Sequence, residues 1–213
     1  MGKINQGVLG GFSGKIGNVV GGSWKGIDFM RIRAARVSNP QTVRQLDHRL
    51  KFTVTMKFLQ PLSGFIKVGF KDYAVKMTAM NAAFAYNFRN AIQGIYPTYA
   101  INYQNALVAR GNLAPALNPV ASSTVAGTVL FTWANNSSEM NANTTDQTLI
   151  VVFNPAKNQS VFLGDTSKRA DGTQSVTVPA SFSGDQVQCY IAFAAIDGNA
   201  LSNSKYAGAI TVA

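Results

Sequence analysis

The rhythm of the last hundred residues restricts the fold more than any other stretch. Apolar strand patterns at Thr128–Trp133, Thr148–Phe153, Gln159–Leu163, Gln174–Val178, Val187–Phe193 and Ala209–Val212 alternate with turn-forming clusters. Those clusters are Asn135-Asn136-Ser137-Ser138, Asn154-Pro155, Asp171-Gly172, Ser183-Gly184-Asp185 and Asp197-Gly198. Asn, Asp and Gly accept left-handed backbone and Pro presets φ, so each cluster ends one strand and starts a reversal. Upstream, Leu113–Pro119 reads as a linker or a first edge strand. About seven short strands in roughly 100 residues predict an immunoglobulin- or fibronectin-like β-sandwich over residues 113–213. The one cysteine, Cys189, has no partner for a disulfide, which excludes an antibody-type domain. It sits among odd-numbered apolar positions of Val187–Phe193, as a small core residue does.

Residues 1–112 have another character, predicted as an α+β part of Gly-rich strands plus two helices. Nine of the 19 glycines fall in residues 1–26, interspersed with apolar residues from Val8 to Trp24. Two short strands joined through Gly14-Lys15, and a third at Ile27–Arg33, account for that pattern better than a flexible tail, which would be more polar. Glycine-rich strands of this kind are expected to bury against the body or against another subunit. A helix is expected after Asn39-Pro40, with Asn39 as N-cap and Pro40 in the first turn. Val43, Leu46, Leu50, Val54 and Phe58 follow at helical spacing until Pro61. A second helix is expected over Thr78–Ile92, closed by Gly94. Between them Gly64–Tyr73 alternates apolar and polar residues, and Ile95–Val108 offers a strand or irregular connection. The change near Asn112 predicts two separate cores.

Charge divides at the same place. Residues 1–112 carry 15 Lys+Arg against 3 Asp+Glu, a net of +12, and residues 113–213 carry 4 against 6, a net of −2. Lys25, Arg31, Arg33, Arg36, Arg44, Arg49 and Lys51 form the densest cationic run and are the candidate anion- or partner-binding residues. A solvated helix face explains many such runs. A surface for an acidic protein or for nucleic-acid phosphates is the sharper expectation.

Catalysis finds little support. Gly10–Ile16 lacks the spacing of a phosphate loop, and Ile16 stands where that loop needs Ser or Thr. His48 and Asp47 are adjacent on a helix and so do not face each other. No spacing of His, Cys and carboxylates predicts a metal site or other cofactor. Asn135, Asn136, Asn143 and Asn158 head Asn-x-Ser/Thr triplets and are read as turn chemistry. No stretch reaches membrane-spanning length, and MGKINQGVLGGFSGK lacks the apolar run of a signal peptide. The expected location is the cytoplasm or an assembled particle.

Trp24-Lys25-Gly26, Arg31, Asn39-Pro40-x-Thr42-x-x-Gln45, Arg49 and Phe52 resemble the N-terminal signature of an uncharacterised family, a domain of unknown function common in Bacteroidota. Phe182-Ser183-Gly184-Asp185 and Ser202-Asn203-Ser204-x-Tyr206-x-Gly208 are similar to its C-terminal part. The resemblance spans nearly the whole chain and implies no activity. The expectation drawn from the residues is a non-enzymatic, self-assembling structural protein such as a phage-like virion, tube or filament subunit. The alternative is a basic protein that binds nucleic acid through non-specific phosphate contacts. An adhesive or carbohydrate-binding sandwich is a third option.

Overall fold

The structure is a computed structural model that describes residues 3–4, 12–36, 39, 41–139 and 141–213. In chain order it begins with strands β1 (Lys3–Ile4), β2 (Phe12–Ile16), β3 (Val19–Trp24) and β4 (Ile27–Ile32). Helices α1 (Val43–Leu59), α2 (Ser63–Gly69) and α3 (Ala79–Asn90) follow, then the hairpin β5 (Ile92–Ile95) and β6 (Thr98–Ile101). The last half holds β7 (Leu117–Ser122), β8 (Thr128–Ala134), β9 (Gln147–Asn154), β10 (Gln159–Lys168), β11 (Thr173–Thr177), β12 (Gln186–Ala194) and β13 (Lys205–Thr211).

The seven strands of residues 113–213 make two antiparallel sheets, ordered β11-β8-β7 and β10-β9-β12-β13. This is the predicted sandwich. Its interior is filled by Val129, Phe131 and Trp133 of one sheet and by Ile150, Val152, Cys189, Ile191 and Phe193 of the other. Register explains the sorting. Cys189 lies opposite Val152 and Ile191 opposite Ile150, so these four share the inward face.

The intervening residues are buried too. Leu149, Val151, Phe153, Tyr190 and Ala192 face away from the sandwich and join a second core with Phe58, Leu59, Leu62, Phe65, Ile66 and Phe70 of the helical part. The helices therefore cap the outer face of β9 and β12, and the expectation of separate cores on either side of Asn112 is corrected. Each fully covered aliphatic or aromatic side chain contributes about 1.5–3 kcal/mol, so this seam holds the halves as one body. Polar groups fix its geometry. Tyr190 donates its hydroxyl to the Tyr103 carbonyl (2.8 Å), and the Val108 N–H donates to Ser204 Oγ (2.9 Å). Buried Asn87 donates to the Ala83 and Leu107 carbonyls (2.9 and 2.8 Å) and accepts from the Leu107 N–H (3.0 Å).

Local corrections follow from cap and packing chemistry. Helix α1 is capped by Thr42 and not by Asn39; Gln45 Oε1 accepts from the Thr42 N–H (3.3 Å) and hydroxyl (2.9 Å). Thr-x-x-Gln is itself a helix-start pattern. Pro40 lies outside the described residues. Residues 64–73 are not a strand but α2 and a 3-10 turn, burying Phe65, Ile66, Gly69 and Phe70 on one side. A Cβ at Gly69 would lie 2.5 Å from the Val108 carbonyl oxygen, so only glycine permits that approach. Helix α3 starts at its Thr78 cap, as expected, but ends at Asn90, and Gly94 belongs to the β5–β6 hairpin. In the N-terminal sheet, order β1-β2-β3-β4, the turn falls at Gly17-Asn18 because Gly14 lies within β2 opposite Gly21. Val8 and Leu9 lie outside the described residues.

Candidate functional site

Among the described residues, neither hydrophobic core includes a side chain of the N-terminal sheet. Strand β4 pairs residue for residue with β3, from Val19 opposite Ile32 to Trp24 opposite Ile27. Alternation then puts Ile16, Val19, Met30 and Ile32 on one face and Val20, Trp24, Ile27 and Phe29 on the other. Both faces carry exposed apolar side chains, interrupted by Asp28 on the first face and by Lys15 and Arg31 on the second. Met30 is 72% and Ile32 79% exposed, and Trp24, Ile27 and Phe29 are exposed on the opposite side. Phe29 covers the gap left by Gly22 across the ladder, where a Cβ would sit 2.9 Å from its ring. The outer edge of β4 carries no neighbouring strand among the described residues. Lys25, at the β3–β4 turn with positive φ, donates to the Met77 carbonyl of the body.

The seven sequence-chosen cations sit on the β3–β4 turn, on β4 and the bend after it, and on α1. Arg31 is on β4, Arg33 follows it with its N–H on the Asn18 carbonyl (2.8 Å), and Arg36 is in the next bend. Arg44 and Arg49 are exposed on α1, and Arg49 donates to Asn39 Oδ1 (2.5 Å). Lys51 is engaged by Asp47 (3.0 Å) and lies 4.9 Å from the centroid of the Tyr99 ring.

A second locus emerges where α1, the end of α3 and the β5–β6 hairpin meet. Lys51, Phe88, Arg89, Ile92, Tyr96 and Tyr99 line a cleft of about 600 Å³. His48 packs on Phe88 (centroids 5.1 Å apart), which stacks on Phe84 (5.3 Å). Tyr99 donates its hydroxyl to Asp47, and this bond, followed by the one from Lys51, holds the Asp47 carboxyl below its usual range. The same contact with Asp47 raises the Lys51 ammonium and the Tyr99 phenol. The charges of Asp47 and Lys51 thus offset each other, whereas the Arg89 side chain makes no hydrogen bond or ion pair with the described residues. Tyr96 and Tyr99 fall in the stretch expected as a strand or irregular connection, and Arg89 is not among the sequence-chosen cations. The available signal was Arg89 in the last turn of α3, directly before the aromatic hairpin.

Among the described residues no group of three or more His, Cys, Asp or Glu side chains is gathered to hold a metal ion. No helix formed by them is long and apolar enough to cross a membrane, which does not bear on β-barrels.

A sequence profile of the family of unknown function DUF6266 matches residues 11–208. The chain belongs to that family. The DUF6266 match runs through meander, helices and sandwich alike. No curated protein matches the chain. Among solved structures, a neighbour is the solution structure of the fn3 domain of human collagen alpha-1(XX) chain. The two share 10% identity, with 47% of this chain and 87% of that chain covered and a TM-score of 0.36. The immunoglobulin- or fibronectin-like assignment rests on the strand order, with three strands facing four.

Proposed function

We propose that this protein is a non-enzymatic structural subunit that assembles with copies of itself, as a virion, tube or filament component does. One observation supports the reading: the β2–β4 meander exposes large apolar side chains on both faces, and the outer edge of β4 has no neighbouring strand among the described residues. Isolated sheets of this kind are marginal in water and act as templates for pairing. Full burial of six side chains (Ile16, Trp24, Ile27, Phe29, Met30 and Ile32) would give an upper figure of about 9–18 kcal/mol. That compares with about 4–15 kcal/mol for the freedom lost on association. The opposite net charges of the two halves favour a heterologous contact, meander to neighbouring sandwich, over meander to meander.

Multi-angle light scattering on full-length protein and on a variant lacking residues 2–33 tests this. Full-length protein is expected as an oligomer or larger particle, and the deletion as a smaller, folded species. Met30→Asp with Ile32→Asp should act like the deletion. A monomeric full-length protein, or a deletion variant that assembles unchanged, overturns the reading.

A second reading has its own observation. Arg31, Arg36 and Arg44 are exposed and their side chains make no hydrogen bond or ion pair with the described residues, which suits contacts with nucleic-acid phosphates.

A further inference from the structure

We propose that the cleft between α1, the end of α3 and the β5–β6 hairpin is a binding site for single-stranded nucleic acid. In it Tyr96 stacks on a base while Arg89 and Lys51 contact the flanking phosphates. The site deepens the phosphate reading above and rests on it, but moves the specific contacts away from the meander to residues outside the sequence-chosen set, Lys51 excepted.

The chemistry follows from what each group has left to offer. Tyr96 is 40% exposed and its ring packs on no other ring or cation of the described residues, which leaves the ring to a ligand. Arg89 is exposed and unpaired, with a planar fork suited to phosphate oxygens. Lys51 stands over Tyr99 and keeps donors beyond the one given to Asp47. No carboxylate of the described residues lines the cleft, and Asp47 beside it is already held by Lys51 and Tyr99. Flat apolar surface, two cations and no free carboxylate together describe a nucleotide's complement. A volume of about 600 Å³ falls within the range of small-molecule sites.

Occupants other than a nucleic acid fit less well. An acidic peptide would use the cations but leave the Tyr96 ring uncovered. An apolar segment would cover Ile95, which is 81% exposed, but would strand Arg89. The surrounding half has a net charge of +12, which draws a polyanion to this side of the molecule.

Fluorescence anisotropy of a labelled oligothymidylate, titrated with full-length protein between about 50 and 200 mM salt, tests the site. Tyr96→Ala should weaken binding about 5- to 150-fold, the range set by loss of one stacked base, while Tyr96→Phe keeps it. Arg89→Ala should weaken binding and reduce the slope of log K against log salt by about 0.7, the value for one single-strand phosphate contact. Circular dichroism checks that each variant is folded. A base-free polyanion, heparin, should bind with no sensitivity to Tyr96→Ala. If the wild type binds but Tyr96→Ala and Arg89→Ala bind equally well, the cleft is refuted, whereas the phosphate reading stands if Arg31→Ala with Arg36→Ala and Arg44→Ala lowers affinity. No binding at low salt sinks both.

Discussion

Removing the carboxylate of Asp146 should destabilise this protein more than almost any other single polar change. Asp146 and Arg169 are fully buried and joined at 3.0 Å between Oδ2 and Nε. The guanidinium also donates to Asn136 Oδ1 (2.7 Å) and to the Ala114 carbonyl (2.9 Å), and it lies 3.9 Å from the Phe193 ring centroid. Arg169 thus ties the approach to β7, the β8–β9 loop and the β10–β11 turn together. Burial pulls its guanidinium below the usual arginine value, opposed by Asp146. Asp146→Ala leaves that cation without its counter-charge in the interior, at a cost of about 3–5 kcal/mol. With a urea m-value near the top of the ~1–3 kcal/mol/M range, the unfolding midpoint should fall by about 1–2 M. Arg169→Met should also destabilise, because Asp146 loses its counter-charge, keeping only the Asn143 N–H, and Asn136 Oδ1 and the Ala114 carbonyl lose their donor. The double variant should cost clearly less than the sum of the singles, with a coupling of about 1–3 kcal/mol. A midpoint shift of a few tenths molar for Asp146→Ala, at unchanged m-value, would refute the claim that the ion pair is desolvated and needed. Strict additivity would refute it as well.

Other outcomes follow from the same coordinates. A fragment of residues 113–213 should aggregate or bind a hydrophobic dye, because cutting away the helices uncovers Leu149, Val151, Phe153 and Tyr190; a soluble monomer with a native-like unfolding transition would contradict the shared core. Cys189 is buried and its thiol is pushed up to about 12 by desolvation, so native protein at pH 8 should resist iodoacetamide until urea unfolds it; rapid native labelling contradicts this. Asp185 is held below its usual range first by Lys157 and then by Asn154, a folded value below the unfolded one. Its contribution to stability is therefore present above about pH 3.9 and is lost as pH falls through the folded value. Asp185→Asn should flatten the acid limb of stability measured by urea midpoint; an unchanged acid limb speaks against the contact.

Strand order along the sandwich was legible because Asp171-Gly172, Ser183-Gly184 and Asp197-Gly198 are turns whatever surrounds them; each glycine has positive φ. What lies over the sandwich was not. Tyr190 and Ala192, on the face of β12 opposite Cys189, are buried because helices from an earlier part of the chain cover them. No local pattern records a contact between residues so distant in sequence. The segment around Phe65 failed for a different reason. A seven-residue helix shows barely two turns, and Phe65, Ile66, Gly69 and Phe70 satisfy helical spacing while the same stretch also reads as alternating. The cations were found by counting, but counting cannot show that Lys51 is held by Asp47 or that Arg89 meets Tyr96 across a cleft. That juxtaposition comes from α3 turning directly into the β5–β6 hairpin.

Covering β9 and β12 on both sides also governs how this chain can vary. A strand with one wet face lets every second residue drift, take on charge or carry a chemical modification. Residues 148–154 and 187–194 have no such positions, since all are buried between the opposite sheet and the helices. A saturation mutagenesis profile would show two unbroken blocks of intolerance there, with no alternation. Variation would be channelled to the edges, along β10 at Phe162 and along β7 at Val120, where side chains still meet water. Descendants of such a chain would diverge at their rims while their two central strands stayed legible.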